Sequence, residues 1–259
     1  MDASLAAFLL IIGLSVGFLS GLLGIGGGIV MFPLLLYVPP LLGLPALEVK
    51  SVTGLTMVQG FFAALSAMLY YHRNALVNRR LVLTLGLSLF LSSLGGSLAS
   101  KFVPDRALLM VFGSLAFIAA VMMLIPRSYA HDEKTEEQVT FARSIAAVIG
   151  VLLGFTIGLV GQGGAFILIP AMLYILKIPL RVALGSTLAI GLFSSSAGLV
   201  GKALTGQIPW LLTLPLLAGA VPAARYGSIV GKRTRTPLLK WLLAAIICAT
   251  AIKVWIGIL

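Results

Sequence analysis

Two glycine runs stand out as backbone that can do chemistry: Gly24-Ile25-Gly26-Gly27-Gly28 and Gly161-Gln162-Gly163-Gly164. Each interrupts a long apolar stretch, ends one helix and starts the next. A helix start offers unpaired N–H groups and about half a positive charge, an anion site made of backbone. Close packing of membrane helices is the competing reading for glycines at helical spacing, and it suits Gly17, Gly21, Gly150, Gly154 and Gly158. Adjacent glycines that recur in both halves exceed what packing needs. A nucleotide phosphate loop is excluded, because neither run continues into GK[ST] within a βαβ unit.

Polar side chains follow each run. Thr53, Thr56 and Gln59 lie on the third apolar segment, and Ser186, Thr187, Ser194, Ser195 and Ser196 on the eighth. They can donate to anion oxygens or bond their own helix backbone; an amide such as Gln59 or Gln162 is harder to satisfy in that way. Lys50, Arg181, Lys202 and Arg225 border apolar segments, as site cations or as snorkelling side chains at helix ends. Lys50 and Arg181 occupy matching places in the two halves, which makes them candidate cations of an anion path. Carboxylates are missing from mid-span, since Asp2, Glu48, Asp105 and the four acids of 126–142 lie at ends or in a loop. That leaves no side-chain proton relay, no metal-ligand cluster and no nucleophile–base arrangement. The reading is a transporter that uses no cofactor or metal, not an enzyme.

The elements that must position these groups are membrane helices. Of 259 residues, 60% are apolar and only 10% charged, against roughly 25% charged in soluble domains; mean hydropathy is +1.13. An all-α polytopic protein of the cell (inner or plasma) membrane follows, with a small anion and the lipid bilayer as partners. The net charge of +11 is then a topology signal and not a nucleic-acid footprint. A lone cysteine, Cys248, excludes a disulfide scaffold. The N-terminal run carries no Lys or Arg ahead of it, so it reads as a retained helix and not as a cleaved signal.

Ten apolar segments can be cut, approximately 4–23, 27–43, 51–71, 80–100, 105–125, 143–160, 164–178, 183–204, 209–230 and 236–258. Pro39-Pro40 and Lys177 shorten the second and seventh, so about 8–10 spans are expected. Thirteen Lys and Arg fall in odd-numbered loops and four in even ones. The positive-inside rule then puts odd loops in the cytoplasm and both termini outside.

Gly17–Tyr37 aligns with Gly154–Tyr174 at an offset of 137, with ten identities in 21 positions. Lys50–Phe62 aligns with Arg181–Phe193 at an offset of 131, sharing Gly54, Thr56, Gly60 and Phe62. The chain therefore divides into an N-terminal repeat (1–125), a hydrophilic cytoplasmic linker (126–142) and a C-terminal repeat (143–259). Five segments per repeat is odd, so the two copies should be inverted across the membrane. Paired, glycine-interrupted helices in inverted repeats point to a secondary transporter with its site near the midplane.

The repeated GxxxGLxGxGG pattern with its trailing proline, at Gly17–Pro33 and Gly154–Pro170, resembles the sulfite exporter TauE/SafE family, also called the 4-toluene sulfonate uptake permease family. Val52–Thr56 and Ala183–Thr187 fit as well. Gln162 and Ala165 depart from Ile25 and Gly28 of the first copy, so the half-sites differ. The resemblance implies transport of small sulfur-containing anions such as sulfite, sulfonates or sulfoacetate. The expected substrate-binding set is Gly24, Gly26, Gly27, Gly28, Thr53, Thr56, Gln59, Gly161, Gln162, Gly163, Gly164, Ser186 and Thr187. Export by alternating access is expected, because a negative interior pushes anions outward at about 2.3 kcal/mol per charge per 100 mV. An anion-selective channel is the alternative.

Overall fold

The computed structural model describes residues 3–71, 78–125, 141–161 and 165–258. Every regular element among them is helical: α1 (Ala3–Leu23), α2 (Gly28–Leu41), α3 (Val49–Tyr71), α4 (Arg79–Ala99), α5 (Asp105–Leu124), α6 (Arg143–Val160), α7 (Ala165–Pro170) with a π turn (Ala171–Ile175), α8 (Leu180–Leu204), α9 (Trp210–Arg233) and α10 (Thr236–Ile258). Local chemistry sets several boundaries. Gly24 and Gly161, at φ 66° and 72°, stop α1 and α6 in a left-handed conformation that side chains resist. Asn78 caps α4 by accepting from the Leu81 N–H at 3.0 Å. Pro104, Pro179 and Pro209 immediately precede α5, α8 and α9.

Among the described residues seven helices are long and apolar enough to span: α1, α3, α4, α5, α6, α8 and α10. The chain is thus an all-α multi-pass membrane protein. Segments 27–43 and 164–178 become the short elements. The 14 residues of α2 cover about 21 Å, less than the roughly 30 Å hydrocarbon core. Lys177, at φ 56°, closes the seventh segment.

The most extensive pairings are α1 with α9, α4 with α6, α4 with α8, α3 with α8, α3 with α9, and α5 with α10. Shifting every helix by five places in the order maps this set onto itself. The match reaches single residues. Gly13, Gly17 and Gly21 of α1 press on Leu216, Ala220 and Ala224 of α9; Gly150, Gly154 and Gly158 of α6 press on Leu85, Leu89 and Ser93 of α4. The glycines are related by 137 and their partners by 131, so the second offset extends beyond the helix in which the sequence displays it. At five of these six points a methyl group would press on backbone, and at Gly150 on the Ser88 side chain, the small-residue contact of membrane helices.

The same contacts give directions. Advancing along α1 advances along α9, and advancing along α6 advances along α4. Gly54 meets Gln207 and Ser66 bonds Val221, so α3 runs with α9. Gly86 meets Phe193 and Gly201 meets Ser97, so α4 runs with α8. Between α3 and α8 the order reverses: Thr53 meets Lys202, and Met57 meets Gly198. Two parallel triplets, α1/α3/α9 and α4/α6/α8, therefore oppose each other across the α3–α8 contact. Because α1 and α3 run together, α2 and residues 42–48 must return the chain between them. Buried Phe32 (α2), Phe112 (α5) and Phe166 (α7) meet, with ring centroids 4.6 and 6.1 Å apart. That cluster covers both short helices with protein, the condition for their stability at membrane depth.

Candidate functional site

Glycine breaks at α1 and α6 reach across the triplet boundary. Gly24 packs on the Leu184 carbonyl of α8, and Gly161 on Thr53 of α3; these contacts are equivalent under the two offsets. From Gly24 the chain folds back through Gly26 and Gly27, at φ 67° and 74°. Three left-handed positions within four residues, Gly24, Gly26 and Gly27, demand glycine. Helix α2 then begins with no side-chain cap, and the Gly27 carbonyl takes the Val30 and Met31 N–H groups at 3.1 and 3.0 Å.

Gln59 closes over this helix start. It is the eleventh of the 23 residues of α3, hence at mid-helix, and it is fully buried. A Cβ at Gly27 would stand 2.9 Å from its Nε2 and 3.2 Å from its Oε1. Neither amide atom has a hydrogen-bond partner. An unmade bond by a buried amide costs about 1–3 kcal/mol, so the position needs an explanation. Ile190, the residue at the equivalent place on α8, is apolar and buried. Two further hydroxyls, Ser20 on the last turn of α1 and Ser194 on α8, are likewise buried without a partner.

Other expected site residues are tied to backbone. Thr53 Oγ1 donates to the Lys50 carbonyl at 2.7 Å. Thr56 Oγ1 lies 2.6 Å from the Gly161 carbonyl, joining α3 to the second break. Thr187 donates to Ala183 and Ser195 to Gly191 within α8. Ser186 Oγ accepts the Asn78 N–H at 3.1 Å. Thr53, Thr56, Ser186 and Thr187 are all buried. Gly28 is buried at the start of α2. Gln162, Gly163 and Gly164 lie outside the described residues.

The structure separates the cation pair. Lys50 and Arg181 sit at the N-terminal ends of α3 and α8, which run in opposite directions, so they occupy opposite ends of the bundle. Lys50 Nζ donates to the Lys101 carbonyl at 2.9 Å, and exposed Arg181 donates to the Thr234 carbonyl at 3.4 Å. Arg225 is exposed on α9. Lys202, read as a site cation or a snorkelling side chain, has no exposed surface. Its Nζ lies 3.0 Å from Thr53 Oγ1, 2.8 Å from Ser100 Oγ, 2.9 Å from Gln207 Oε1 and 3.3 Å from the Leu159 carbonyl. The signal for it was a lysine more than twenty residues into an apolar helix; Ser100 and Gln207 carried none.

No group of three or more His, Cys, Asp or Glu able to hold a metal occurs among the described residues. Among the described residues the arrangement offers the backbone N–H groups of a helix start, one amide and one buried amine as donors.

Residues 9–254 match a family profile described as TauE, Sulfite exporter TauE/SafE. The chain is 23% identical to the probable membrane transporter protein YunE of Bacillus subtilis, covering 92% of this chain and 93% of the relative. It is 29% identical to a probable membrane transporter protein of Xylella fastidiosa, over 92% and 90%. For YjnA of Bacillus subtilis, also named a probable membrane transporter protein, identity is 25% over 95% and 98%. No solved structure matches the chain.

Proposed function

Because the chain belongs to the sulfite exporter TauE/SafE family, it is a membrane transporter and not an enzyme, and we propose that it exports small sulfur-containing anions such as sulfite, sulfonates or sulfoacetate. The carrying observation is the unpartnered, fully buried Gln59 amide set against the uncapped start of α2. Backbone N–H groups and the Gln59 NH₂ are all donors, and together they suit the oxygens of a small anion. The carboxamide oxygen suits a donor on the same ligand, such as a protonated oxygen or an accompanying water.

The mechanism is alternating access between two inverted repeats. Equivalent residues making equivalent contacts, and two parallel triplets running in opposite directions, support this reading. So does the position of the break, which folds back to the middle of α3. A rocking of one triplet against the other would expose the Gln59 level to either side in turn. Membrane voltage supplies the outward drive, and among the described residues no buried carboxylate is present to couple a proton.

Proteoliposomes loaded with sulfite test this. A carrier gives saturable sulfite counterflow stimulated by sulfite on the opposite face, and a negative internal potential speeds release. Flux that neither saturates nor shows trans-stimulation identifies a channel and overturns the carrier reading. Flux that ignores voltage and requires an inward proton or sodium gradient overturns the export reading.

A further inference from the structure

We propose that Lys202 is an anion-operated latch between the two triplets: a small oxyanion displaces Thr53 from the ammonium and so parts α3 from α8. The idea rests on the anion-carrier reading and adds to it a second binding point and a link between binding and opening.

The starting observation is a lysine with no exposed surface inside a membrane bundle. Buried charge is costly unless it is paired, yet among the described residues no carboxylate reaches Lys202. Its four partners are all neutral oxygens. Two helix ends help: Lys202 lies in the last turn of α8 and contacts the carbonyl of Leu159 just before α6 ends, where partial negative charge collects. These dipoles hold the ammonium without cancelling its charge. When protonated, the amine is an interior positive site ringed, among the described residues, by neutral oxygens.

An ammonium has three N–H groups, and four oxygens lie within reach. One acceptor is therefore in excess. Ser100 caps the end of α4, Leu159 lies in α6, and Gln207 lies in the α8–α9 turn, where its backbone also packs on Gly54 of α3. Gln207 Nε2 also bonds Ser100 Oγ at 3.1 Å and Thr205 Oγ1 at 2.8 Å, which keeps that half of the cluster together. Thr53 alone comes from the opposing triplet, and its own proton is already given to the Lys50 carbonyl. An anionic oxygen makes a bond to an ammonium roughly twice as strong as a neutral one does. It would take the place of one neutral acceptor, and where that acceptor is Thr53 the hydrogen bond between α3 and α8 is lost. The ligand thereby favours the state in which α3 and α8 have separated at this end, a shift of population by differential affinity. Thr53 lies six residues before Gln59, so about 9 Å along α3 separates the latch from the helix-start site. The charge asymmetry of the loops assigns this end to the outside.

The test uses the full chain in proteoliposomes with sulfite as probe. Lys202→Met removes the charge in a side chain of similar length. Gln207→Glu keeps the charge but gives it a resident carboxylate. Either change should raise the half-saturating sulfite concentration about 10- to 100-fold, the usual weight of a hydrogen bond to a charged group. A purely structural clamp predicts the opposite for Gln207→Glu, a more stable protein with unchanged sulfite dependence. Unchanged half-saturation in whichever variant folds overturns the proposal, as does failure of both to fold. Absence of saturable sulfite transport in the unaltered chain is read in its own arm: it sinks the carrier reading, and the latch with it.

Discussion

Gln59 gives the sharpest separation of binding from stability. Its amide is fully buried with both polar atoms unpartnered, so the folded protein carries a penalty of about 1–3 kcal/mol there. Gln59→Met keeps the volume and removes the polar atoms. The expected outcome is a protein at least as stable in thermal unfolding, with sulfite counterflow reduced tenfold or more, on the order of one lost hydrogen bond to a charged ligand. Falling stability with intact counterflow would mark Gln59 as a structural residue. The site's legibility differed by residue. A glutamine in mid-span was visible as a polar group needing a partner. That it sits against the start of α2 was not, because the chain must fold back through Gly26 and Gly27 before the two meet.

Helix contacts follow from which glycine faces which backbone, and neighbours can behave oppositely. Gly95 and Gly96 both lie in α4. A Cβ at Gly96 would collide with the Phe155 carbonyl of α6, whereas one at Gly95 meets nothing within 4 Å. Gly96→Ala should cost about 1–3 kcal/mol as an overpacked contact, and Gly95→Ala should gain about 0.5–1 kcal/mol from helix propensity. Thermal unfolding of the two purified variants checks the sign of each, and equal shifts would contradict the α4–α6 packing. Gly227→Ala on α9 should resemble Gly96→Ala, since it meets Phe18 and Leu22 just as Gly96 meets Phe155 and Leu159.

Across the whole molecule, the opposed triplets demand a definite topology. With α1, α3 and α9 pointing one way and α4, α6 and α8 the other, the proposed inverted repeats fix where the loops must lie. A reporter inserted in the 126–142 linker should read as cytoplasmic and one fused after Leu259 as external. Signals from the same side would refute both the loop-charge orientation and the inverted pairing. Short α2 and α7 do not upset this count, because each returns the chain between two parallel helices and is covered by the Phe32–Phe112–Phe166 cluster.

By itself the sequence determined what depends on composition and local backbone chemistry. Sixty per cent apolar residues require a bilayer, glycine runs must break helices, Pro39-Pro40 shortens the second segment, and two offsets declare a duplication. Tertiary structure decided everything that depends on partners distant in the chain. Lys50 and Arg181 align in sequence, but antiparallel α3 and α8 carry them to opposite ends. Lys202 could be read either as a site cation or as a helix-end lysine reaching water. Its burial arises from Thr53 and Ser100, 149 and 102 residues away, whose oxygens solvate the ammonium in place of water. A charge in a membrane protein goes wherever its solvation is found, and that is settled by how the helices assemble.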